Sequence, residues 1–396
     1  MRPFLGIAAG VVSALALVLQ ACGPAPAATP AGAQSGAPAQ AAQAAAPAGS
    51  ALQQLIAKAQ QEGSLRAQLL STAAPESDKI KAAFLKKFGL NINMEIGWGN
   101  ESTEFQKAEA AMKSGAAPDF DVMFGEDGNN LNFINQGLAT KIDNWEELVS
   151  AVHTTVQEGK VKPEQVSPAP FTGYSLMQGN RVKVMLFNPR LVTADQIPDT
   201  YEDFANPRFQ GKYTVPPWSS TWEMGLLVYP RDHWLQVVDA AGKNAAGVLH
   251  FEGSLDRILS GNLPFAQSNS HYYYEVKSRD ASAPLDLKFF KDMSFMNRVF
   301  YMVPAKSRHP AAGTLFALFM TSDEGRTLER PAHFSENIEF GQLDVDDKDR
   351  QGIAQSGGKV VSWFSTPEAQ QQLQWVTTPE GKQYSEAISR ALTQRK

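Results

Sequence analysis

The stretch that decides the fold is Leu65–Ile96, with the sequence LRAQLLSTAAPESDKIKAAFLKKFGLNINMEI. Its two ends, Leu65–Leu70 and Leu90–Ile96, predict strands, and Ser77–Phe88 between them predicts a helix with apolar residues on one face. The preceding residues, Leu52–Gly63, predict a helix that ends at its glycine. An α-β-α-β opening is typical of a mixed α/β sheet whose strands are joined by crossover helices.

Length and composition restrict the class of protein. The chain has 396 residues, enough for two domains or one large two-lobed unit. Hydrophobic residues make up 43% and charged residues 19%, which is typical of a globular body. The net charge of −5 has the wrong sign for a nucleic-acid binder, so we exclude that class.

The N-terminus predicts export and a lipid anchor. Arg2 precedes the apolar run Phe4–Leu19, which has the layout of a secretory signal peptide and is short for a membrane span. The run leads into Leu-Gln-Ala-Cys22, which resembles the bacterial lipobox, whose cysteine is lipidated. We therefore predict a signal peptide over residues 1–21 and a membrane anchor at Cys22. The alternative is an ordinary signal peptide with a chance cysteine.

Cys22 is the single cysteine of the sequence, so no internal disulfide can form. The residues from 23 to 50 are all Ala, Pro, Gly, Gln, Ser or Thr. Such a segment has nothing to bury in a core and predicts a flexible tether, here assigned to residues 22–50. The folded body is then expected outside the cytoplasm, held near a membrane surface.

A phenol-rich segment marks one candidate ligand site. Ser268–Tyr274 has the sequence SNSHYYY and follows Leu263–Ala266, which predicts a short strand. Polar and phenolic side chains at the end of a strand suit the mouth of a binding site. If the strand continues, neighbouring tyrosines point to opposite faces, so at least one phenol needs a polar partner or water. The alternative is an aromatic edge of a sheet.

Two further segments place polar groups at the ends of predicted strands. Glu126 and Asp127 follow the buried strand Asp121–Phe124, and α/β sheets bind ligands at the carboxyl ends of their strands. Ser219–Thr221 opens a predicted helix, where hydroxyls and backbone N–H groups can bind an anion. The alternatives are a solvated turn or helix cap for the first pair and simple capping for the second segment.

Several segments, in their order along the chain, resemble the extracytoplasmic substrate-binding proteins of ABC importers, specifically the ferric-iron-binding type. The resemblance covers about residues 52 to 325. It rests on five segments: Leu55–Gly63, Pro118–Phe124, Asn206–Lys212, His309–Ala312 and Thr321–Gly325.

The resemblance implies an α/β, two-lobed periplasmic-binding-protein fold of type II-like architecture, with hinge strands between the lobes. We expect residues 51–182 plus 290–330 to form lobe 1, and residues 183–289 plus 331–396 to form lobe 2. The crossings are expected near Arg181–Phe187 and Ser282–Val299. A ligand bound between the lobes would drive hinge closure.

The resemblance also implies a ligand set. Tyr272 and Tyr273 fall on the tyrosine pair that binds ferric iron in the family, and Glu126 falls on its carboxylate ligand. Phenolate and carboxylate oxygens suit such a hard cation. Ser219–Thr221 falls where the family holds a companion anion. The segment Ser71–Ser77 lacks the histidine of many iron binders, and His271 is the candidate replacement.

Three functions follow from these observations. The first is a lipid-anchored, monomeric receptor that passes Fe(III), or an iron–anion complex, to an ABC permease in the membrane. The second is the same receptor for a small organic anion or amine, with Trp98, Trp218 and Trp222 as aromatic walls; the alternative for the tryptophans is core packing. The third is a secreted hydrolase, which we rank last because the sequence has no nucleophile elbow, HExxH motif or paired histidines. We expect no enzymatic activity and no resident cofactor.

Overall fold

The computed structural model describes residues 49–69, 74–329 and 336–393. The predicted signal peptide, Cys22 and nearly all of the predicted tether lie outside these residues. None of the helices within the described residues is both long enough and apolar enough to cross a membrane.

The chain alternates between helices and strands. The helices are α1 Ala51–Glu62, α2 Ala74–Phe88, α3 Glu101–Lys113, α4 Asp127–Asn135, α5 Trp145–Val152, α6 Thr154–Gln157, α7 Pro163–Val166, α8 Ser220–Glu223, α9 Arg231–Asn244, α10 Phe251–Leu259, α11 Ser270–Arg279, α12 Pro310–Thr321, α13 Asp323–Glu329, α14 Asp344–Ser356, α15 Pro367–Val376 and α16 Pro379–Thr393. The strands are β1 Ser64–Leu69, β2 Asn93–Trp98, β3 Met123–Glu126, β4 Ser175–Phe187, β5 Thr214–Val215, β6 Gly247–Val248, β7 Phe265–Asn269, β8 Asp286–Lys288, β9 Met293–Met302 and β10 Lys359–Val361.

The predicted α-β-α-β opening is confirmed. Strands β1 and β2 pair in parallel, from Ser64 with Asn93 to Leu69 with Trp98, and α2 makes the crossover between them. Ala67 of β1 also bridges Val122, just before β3. This pairing brings the carboxyl ends of the first strands to one edge, where ligands of α/β sheets bind.

Strand β4 is the longest strand and passes from one set of partners to another. Its N-terminal part pairs antiparallel with β9, ending with Val182 opposite Met296. From Lys183 onward it pairs with β7, beginning opposite Asn269, and then also with β8. The change of partner therefore falls between Val182 and Lys183, next to the crossing expected near Arg181–Phe187. The exact lobe boundaries stay a prediction.

Helix α12 forms the centre of the main core. All of its residues from Ala311 to Thr321 are buried, and its Phe316 ring lies 5.4 Å from the ring of Phe84 in α2. Its N-terminus is closed by Glu62 of α1, whose carboxylate accepts the backbone N–H groups of Ala311 and Ala312 at 2.9 and 2.8 Å. A carboxylate at a helix N-terminus satisfies unpaired donors and complements the helix dipole.

Candidate functional site

Two cations of β4 form the centre of the candidate site. Arg181 and Lys183 are buried, with 7% and 3% exposure. They are two residues apart, so they project to the same face of the strand, while Val182 and Val184 project to the other. Burying two charged side chains on one strand is costly unless partners compensate their charge. The residues around Arg181 and Lys183 therefore indicate the function of this face of β4.

Arg181 is held by carboxylates from two helix N-termini. Its Nη1 lies 2.7 Å from Glu126 Oε1 and 3.6 Å from Glu101 Oε1. Its guanidinium also lies 5.8 Å from the ring centroid of Phe124 in β3. Among the residues that the structure describes, nothing accepts a hydrogen bond from Arg181 Nε or Nη2. The guanidinium therefore has two buried donors available to a ligand.

Local structure fixes both carboxylates. Asn100 caps α3, with its Oδ1 accepting from Thr103 N at 3.2 Å, so that Glu101 is the first helical residue. Glu126 ends β3 and is the N-cap residue of α4. The preceding Gly125 allows β3 to approach α3 closely, because a Cβ there would lie 2.6 Å from the Phe105 ring. A strand end and two helix starts thus converge on Arg181.

Lys183 connects the same face to later elements of the chain. Its Nζ donates to Asn269 Oδ1 of β7 at 2.6 Å and lies 5.2 Å from the ring centroid of Phe251 in α10. Burial, together with the Arg181 charge, lowers the pKa of Lys183 to about 8 despite the opposing effect of Glu126. Arg181 and Lys183 therefore link residues on both sides of the change of partner in β4.

Burial also changes the charge of the carboxyl groups. It raises the pKa of Glu101 to about 7, with Glu126 adding repulsion and Arg181 opposing the rise. It raises the pKa of Asp127 to about 7 as well, again with repulsion from Glu126. Both groups are therefore partly protonated near neutral pH. The site therefore contains the cations Arg181 and Lys183, the carboxylate of Glu126, and two carboxyl groups, Glu101 and Asp127, that can each take up a proton.

The tyrosine segment differs from its predicted form. Strand β7 ends at Asn269, and Ser270–Arg279 is the helix α11 rather than a continued strand. Tyr272 Oη donates to Glu252 Oε1 of α10 at 2.5 Å. Burial and Glu252 raise the pKa of Tyr272 well above its usual range, although the Arg181 guanidinium opposes the rise. Tyr272 is thus near the Arg181 face but hydrogen-bonded to a carboxylate.

The other residues of the segment have different neighbours. Tyr273 lies against Tyr274, with 5.3 Å between ring centroids, and its own ring is 5.9 Å from Lys277 Nζ. Burial raises the pKa of Tyr273, and Asp286 adds to the rise. Consecutive helical residues point about 100° apart, so Tyr272 and Tyr273 do not face one point. His271 is buried, with its ring 4.1 Å from that of Tyr272.

The Ser219–Thr221 segment is largely occupied by its own contacts. Ser219 Oγ donates to Glu223 Oε1 at 2.7 Å, and Thr221 Oγ1 accepts from Trp218 Nε1 at 2.9 Å. Ser220 is exposed. The helix α8 that follows has four residues, so the segment lacks the long helix N-terminus that an anion site would use.

Of the three tryptophans predicted as aromatic walls, Trp98 and Trp222 lie in opposite environments. Trp222 is completely buried, with its ring 5.6 Å from Phe204 and 5.9 Å from Trp234, so it belongs to the core and offers no surface to a ligand. Trp98 is 43% exposed at the end of β2, three residues before Glu101. Trp98 therefore stays a candidate for an aromatic wall, and we leave Trp222 out.

Metal ligands are not grouped in the described part of the chain. Within residues 49–69, 74–329 and 336–393, no three histidine, cysteine, aspartate or glutamate side chains form a group that could hold a metal ion. Of the three predicted iron ligands, Glu126 pairs with Arg181, Tyr272 pairs with Glu252, and Tyr273 lies elsewhere. A transported iron would have to displace these contacts.

Sequence reasoning missed Arg181, Lys183, Glu101 and Phe251. A signal for the two cations was present, because the predicted strand Arg181–Phe187 carries Arg and Lys two residues apart and is otherwise apolar. Charged residues are almost never fully buried unless paired, so this spacing in a buried strand indicates a site. The partners Glu101 and Phe251 could not be found from spacing, since they are about 80 residues from the strand on one side and 70 on the other.

Similar proteins support one family. Residues 79–328 match the model of the bacterial extracellular solute-binding protein family, and no curated protein matches the sequence. Iron-bound HitA from Pseudomonas aeruginosa has a TM-score of 0.63 at 18% identity, covering 82% of this chain and 99% of that one. Apo ferric ion-binding protein A from Pasteurella haemolytica gives 0.59 at 13% identity, with coverage of 83% and 98%.

A third similar structure has a different ligand. The periplasmic binding protein AgtB from A. tumefaciens, in complex with agropinic acid, has a TM-score of 0.57 at 16% identity and covers 82% of this chain and 99% of its own. At such identities the three structures establish the fold, which is the predicted two-lobed α/β fold. The family model matches well over half of the sequence. The chain belongs to the bacterial extracellular solute-binding protein family.

Proposed function

We propose that this protein is the substrate-binding receptor of an ABC importer and that its ligand is a small organic anion. Its family delivers solutes to ABC permeases from outside the cytoplasm, which supports the receptor role. The observation that carries the ligand class is Arg181, a guanidinium with 8% exposure whose Nε and Nη2 have no acceptor among the described residues. A planar guanidinium binds a carboxylate through two parallel hydrogen bonds.

The position of Arg181 explains how binding would be transmitted. Its carboxylate partners Glu101 and Glu126 come from α3 and the β3–α4 junction, whereas Lys183 contacts β7 and α10. An anion that touches both cations contacts both sets of elements. Such a ligand favours the arrangement in which the two sets lie together, which is the condition for ligand-driven closure.

Iron remains a second candidate because a phenol and a carboxylate lie close together. Tyr272 Oη and Glu252 Oε1 are 2.5 Å apart, and the Arg181 charge acts on Tyr272, so an iron that displaced their hydrogen bond would meet both oxygens near the guanidinium. The iron-bound HitA structure shows that this fold holds iron in another protein. For this chain, an iron–anion complex fits better than a bare cation, because Arg181 and Lys183 repel a cation and attract its anion.

The anchor and the assembly state complete the proposal. Lipidation of Cys22, a tether up to residue 50 and a monomeric body would present the site to a permease near the membrane. Expression with radiolabelled fatty acid measures the anchor. Label in the wild-type protein and none in C22A is the expected result, and equal label in both would contradict it.

The ligand class is tested by melting-temperature shifts and visible spectra of the purified protein. We expect small carboxylic acids to raise the melting temperature and to leave the protein colourless. Ferric citrate is compared with sodium citrate, because tyrosinate bound to iron gives a visible charge-transfer band. If ferric citrate gives a coloured complex and the carboxylic acids alone do not shift the melting temperature, the organic anion is ruled out and iron becomes the proposed ligand.

A further inference from the structure

Unpaired donors and an unpaired acceptor lie side by side in the site. Arg181 Nε and Nη2 have no acceptor, and Glu101 Oε2, which is also buried, has no donor, within the part of the chain that the structure describes. The two side chains approach to 3.6 Å. A buried polar atom without a partner destabilises the folded protein. A ligand that forms hydrogen bonds with all three atoms must offer carboxylate-like oxygens to the two Arg181 donors and an N–H or O–H donor to Glu101 Oε2.

The charges around these atoms favour the same kind of ligand. Glu101, Glu126 and Asp127 lie around Arg181 and Lys183, and each acts on the pKa of Lys183. A simple anion would add negative charge next to Glu126, and a simple amine would add positive charge next to Arg181. A molecule that carries both signs can place each charge beside its opposite, which is the cheaper arrangement at low dielectric constant.

Lys183 adds a second place for an acid group. Residues i and i+2 of a strand lie about 6.6 Å apart on one face, so the ammonium of Lys183 follows the guanidinium of Arg181 along β4. Its Nζ donates to Asn269 Oδ1 at 2.6 Å, and an ammonium has three N–H groups. Phe251, 5.2 Å away, supplies an apolar surface for the carbon chain between the acid groups.

We infer that the ligand is an amino acid with a second acid group, an inference that rests on the proposed function. One carboxylate binds Arg181 Nε and Nη2, the ligand ammonium binds Glu101, and the second acid group binds Lys183. Glu101 is then the residue that selects for the amine. Its burial, its unpaired oxygen and its position at the start of α3 suit that role.

A competing arrangement has Glu101 protonated, so that it donates to a simple anion. E101Q separates the two cases. Glutamine can still donate to an anion, but it has no charge for an ammonium. Loss of selectivity for the amine in E101Q is therefore expected from our inference alone. E109Q, on the same helix and paired with Lys113, is the matched control.

The experiment compares two matched pairs of ligands by isothermal titration calorimetry on wild type, E101Q and E109Q. The pairs are L-glutamate with glutarate and L-aspartate with succinate. In wild type and E109Q we expect at least one amino acid to bind tenfold or more tightly than its partner without the amine. In E101Q the affinity for that amino acid falls at least tenfold, and the affinity for its partner changes less than threefold.

The outcomes separate this inference from the proposed function. If glutarate and succinate bind as tightly as the matching amino acids, or more tightly, the inference is overturned, but the proposed function as a receptor for an organic anion stands. Binding of ferric citrate with none of the four acids overturns both. Binding of none of these probes overturns the inference as stated. A tenfold amine preference that persists in E101Q excludes Glu101 as the selecting residue.

Discussion

Arg181 and Arg326 are both buried arginines, but their carboxylate partners differ in how firmly they are held. Arg326 Nη2 pairs with Asp346 Oδ1 at 2.9 Å, and Asp346 also accepts the backbone N–H groups of Asn337 and Leu343 at 2.6 and 2.8 Å. Asp346 is completely buried. Arg181 instead pairs with Glu126, whose side chain is 27% exposed.

The difference indicates two roles for the same side chain. Asp346 is fixed by backbone donors from both ends of a short loop, so its pair with Arg326 holds the loop against α13. Glu126 is instead partly solvated, with 27% of its side chain exposed. A carboxylate fixed by buried backbone donors suits a structural ion pair, whereas a partly solvated carboxylate allows its arginine to change partners when a ligand arrives.

The largest effect is expected from breaking the structural pair. D346N leaves the Arg326 charge buried without its carboxylate, so the free energy of unfolding falls by about 3–5 kcal/mol. Urea unfolding measures this. The control is D344N on the same helix, where an exposed pair with Lys348 is worth at most about 0.5 kcal/mol. A loss for D346N within 1 kcal/mol of that control would mean that the Asp346 pair does not stabilise the fold.

The next effect is on binding rather than stability. R181M removes the donors for the ligand, and the binding free energy of an organic acid falls by about 2–5 kcal/mol. Stability is expected to fall less than in D346N, because the carboxylate partners that R181M leaves behind can be compensated: Glu126 is partly solvated, and Glu101 can take up a proton. Calorimetry measures binding, and urea unfolding measures stability. R190M, at an exposed arginine, should change neither.

If R181M instead loses as much stability as D346N and binds the same acids with unchanged affinity, Arg181 is a structural residue and not a binding residue. Urea unfolding and calorimetry on each variant therefore decide which arginine supports the fold and which binds the ligand.

A third prediction concerns pH. Glu101 has a pKa of about 7 in the folded protein and about 4.5 unfolded, so the folded state binds more protons between these values. The stabilisation is complete below about pH 4.5 and is lost as the pH rises through 7. Between pH 8 and pH 6 we expect Glu101 to add about 1 kcal/mol to the free energy of unfolding.

The measurement is urea unfolding of wild type and E101Q at pH 6 and pH 8. Wild type should gain stability toward pH 6, and E101Q should gain about 1 kcal/mol less. Asp127 and Glu329, also with pKa values of about 7, contribute in the same direction in both proteins. His153, whose pKa burial lowers to about 4, opposes them in both. An identical gain in the two proteins would show that Glu101 does not titrate in this range.

The fold was more accessible from the sequence than the site. Amphipathic periodicity in Ser77–Phe88 and alternation in Leu90–Ile96 depend on local spacing, and both elements are present as α2 and β2. Tyr272–Tyr274 misled the prediction because tyrosine favours strands. The helix there is secured by distant contacts instead, with Ser270 Oγ and Tyr274 Oη donating to Asp349 at 2.8 and 2.6 Å.

The site could be predicted only in part, because its contacts are made between distant segments. Glu126 lies beside Arg181, and Tyr272 lies near them, so the carboxyl end of β3 and the start of α11 were reasonable places to look. Trp222 could not be distinguished from a ligand wall by its position after Ser219–Thr221, since it is buried by packing against distant residues such as Tyr201, Phe204 and Trp234. Side-chain burial is decided by tertiary contacts that a local pattern does not contain.

The smallest effect compares the two tyrosines. Y272F removes the hydrogen bond to Glu252, and because Glu252 can be rehydrated, the free energy of unfolding should fall by about 0.5–1 kcal/mol. Y273F is the matched control, since no hydrogen bond from the Tyr273 hydroxyl is made within the described residues, and it should lose less than about 0.3 kcal/mol. Urea unfolding of both variants measures the difference, and equal losses would contradict it. The same variants sharpen the choice of ligand: a visible band with ferric citrate that disappears in Y272F and survives in Y273F would assign the phenol beside Arg181 to an iron–anion complex.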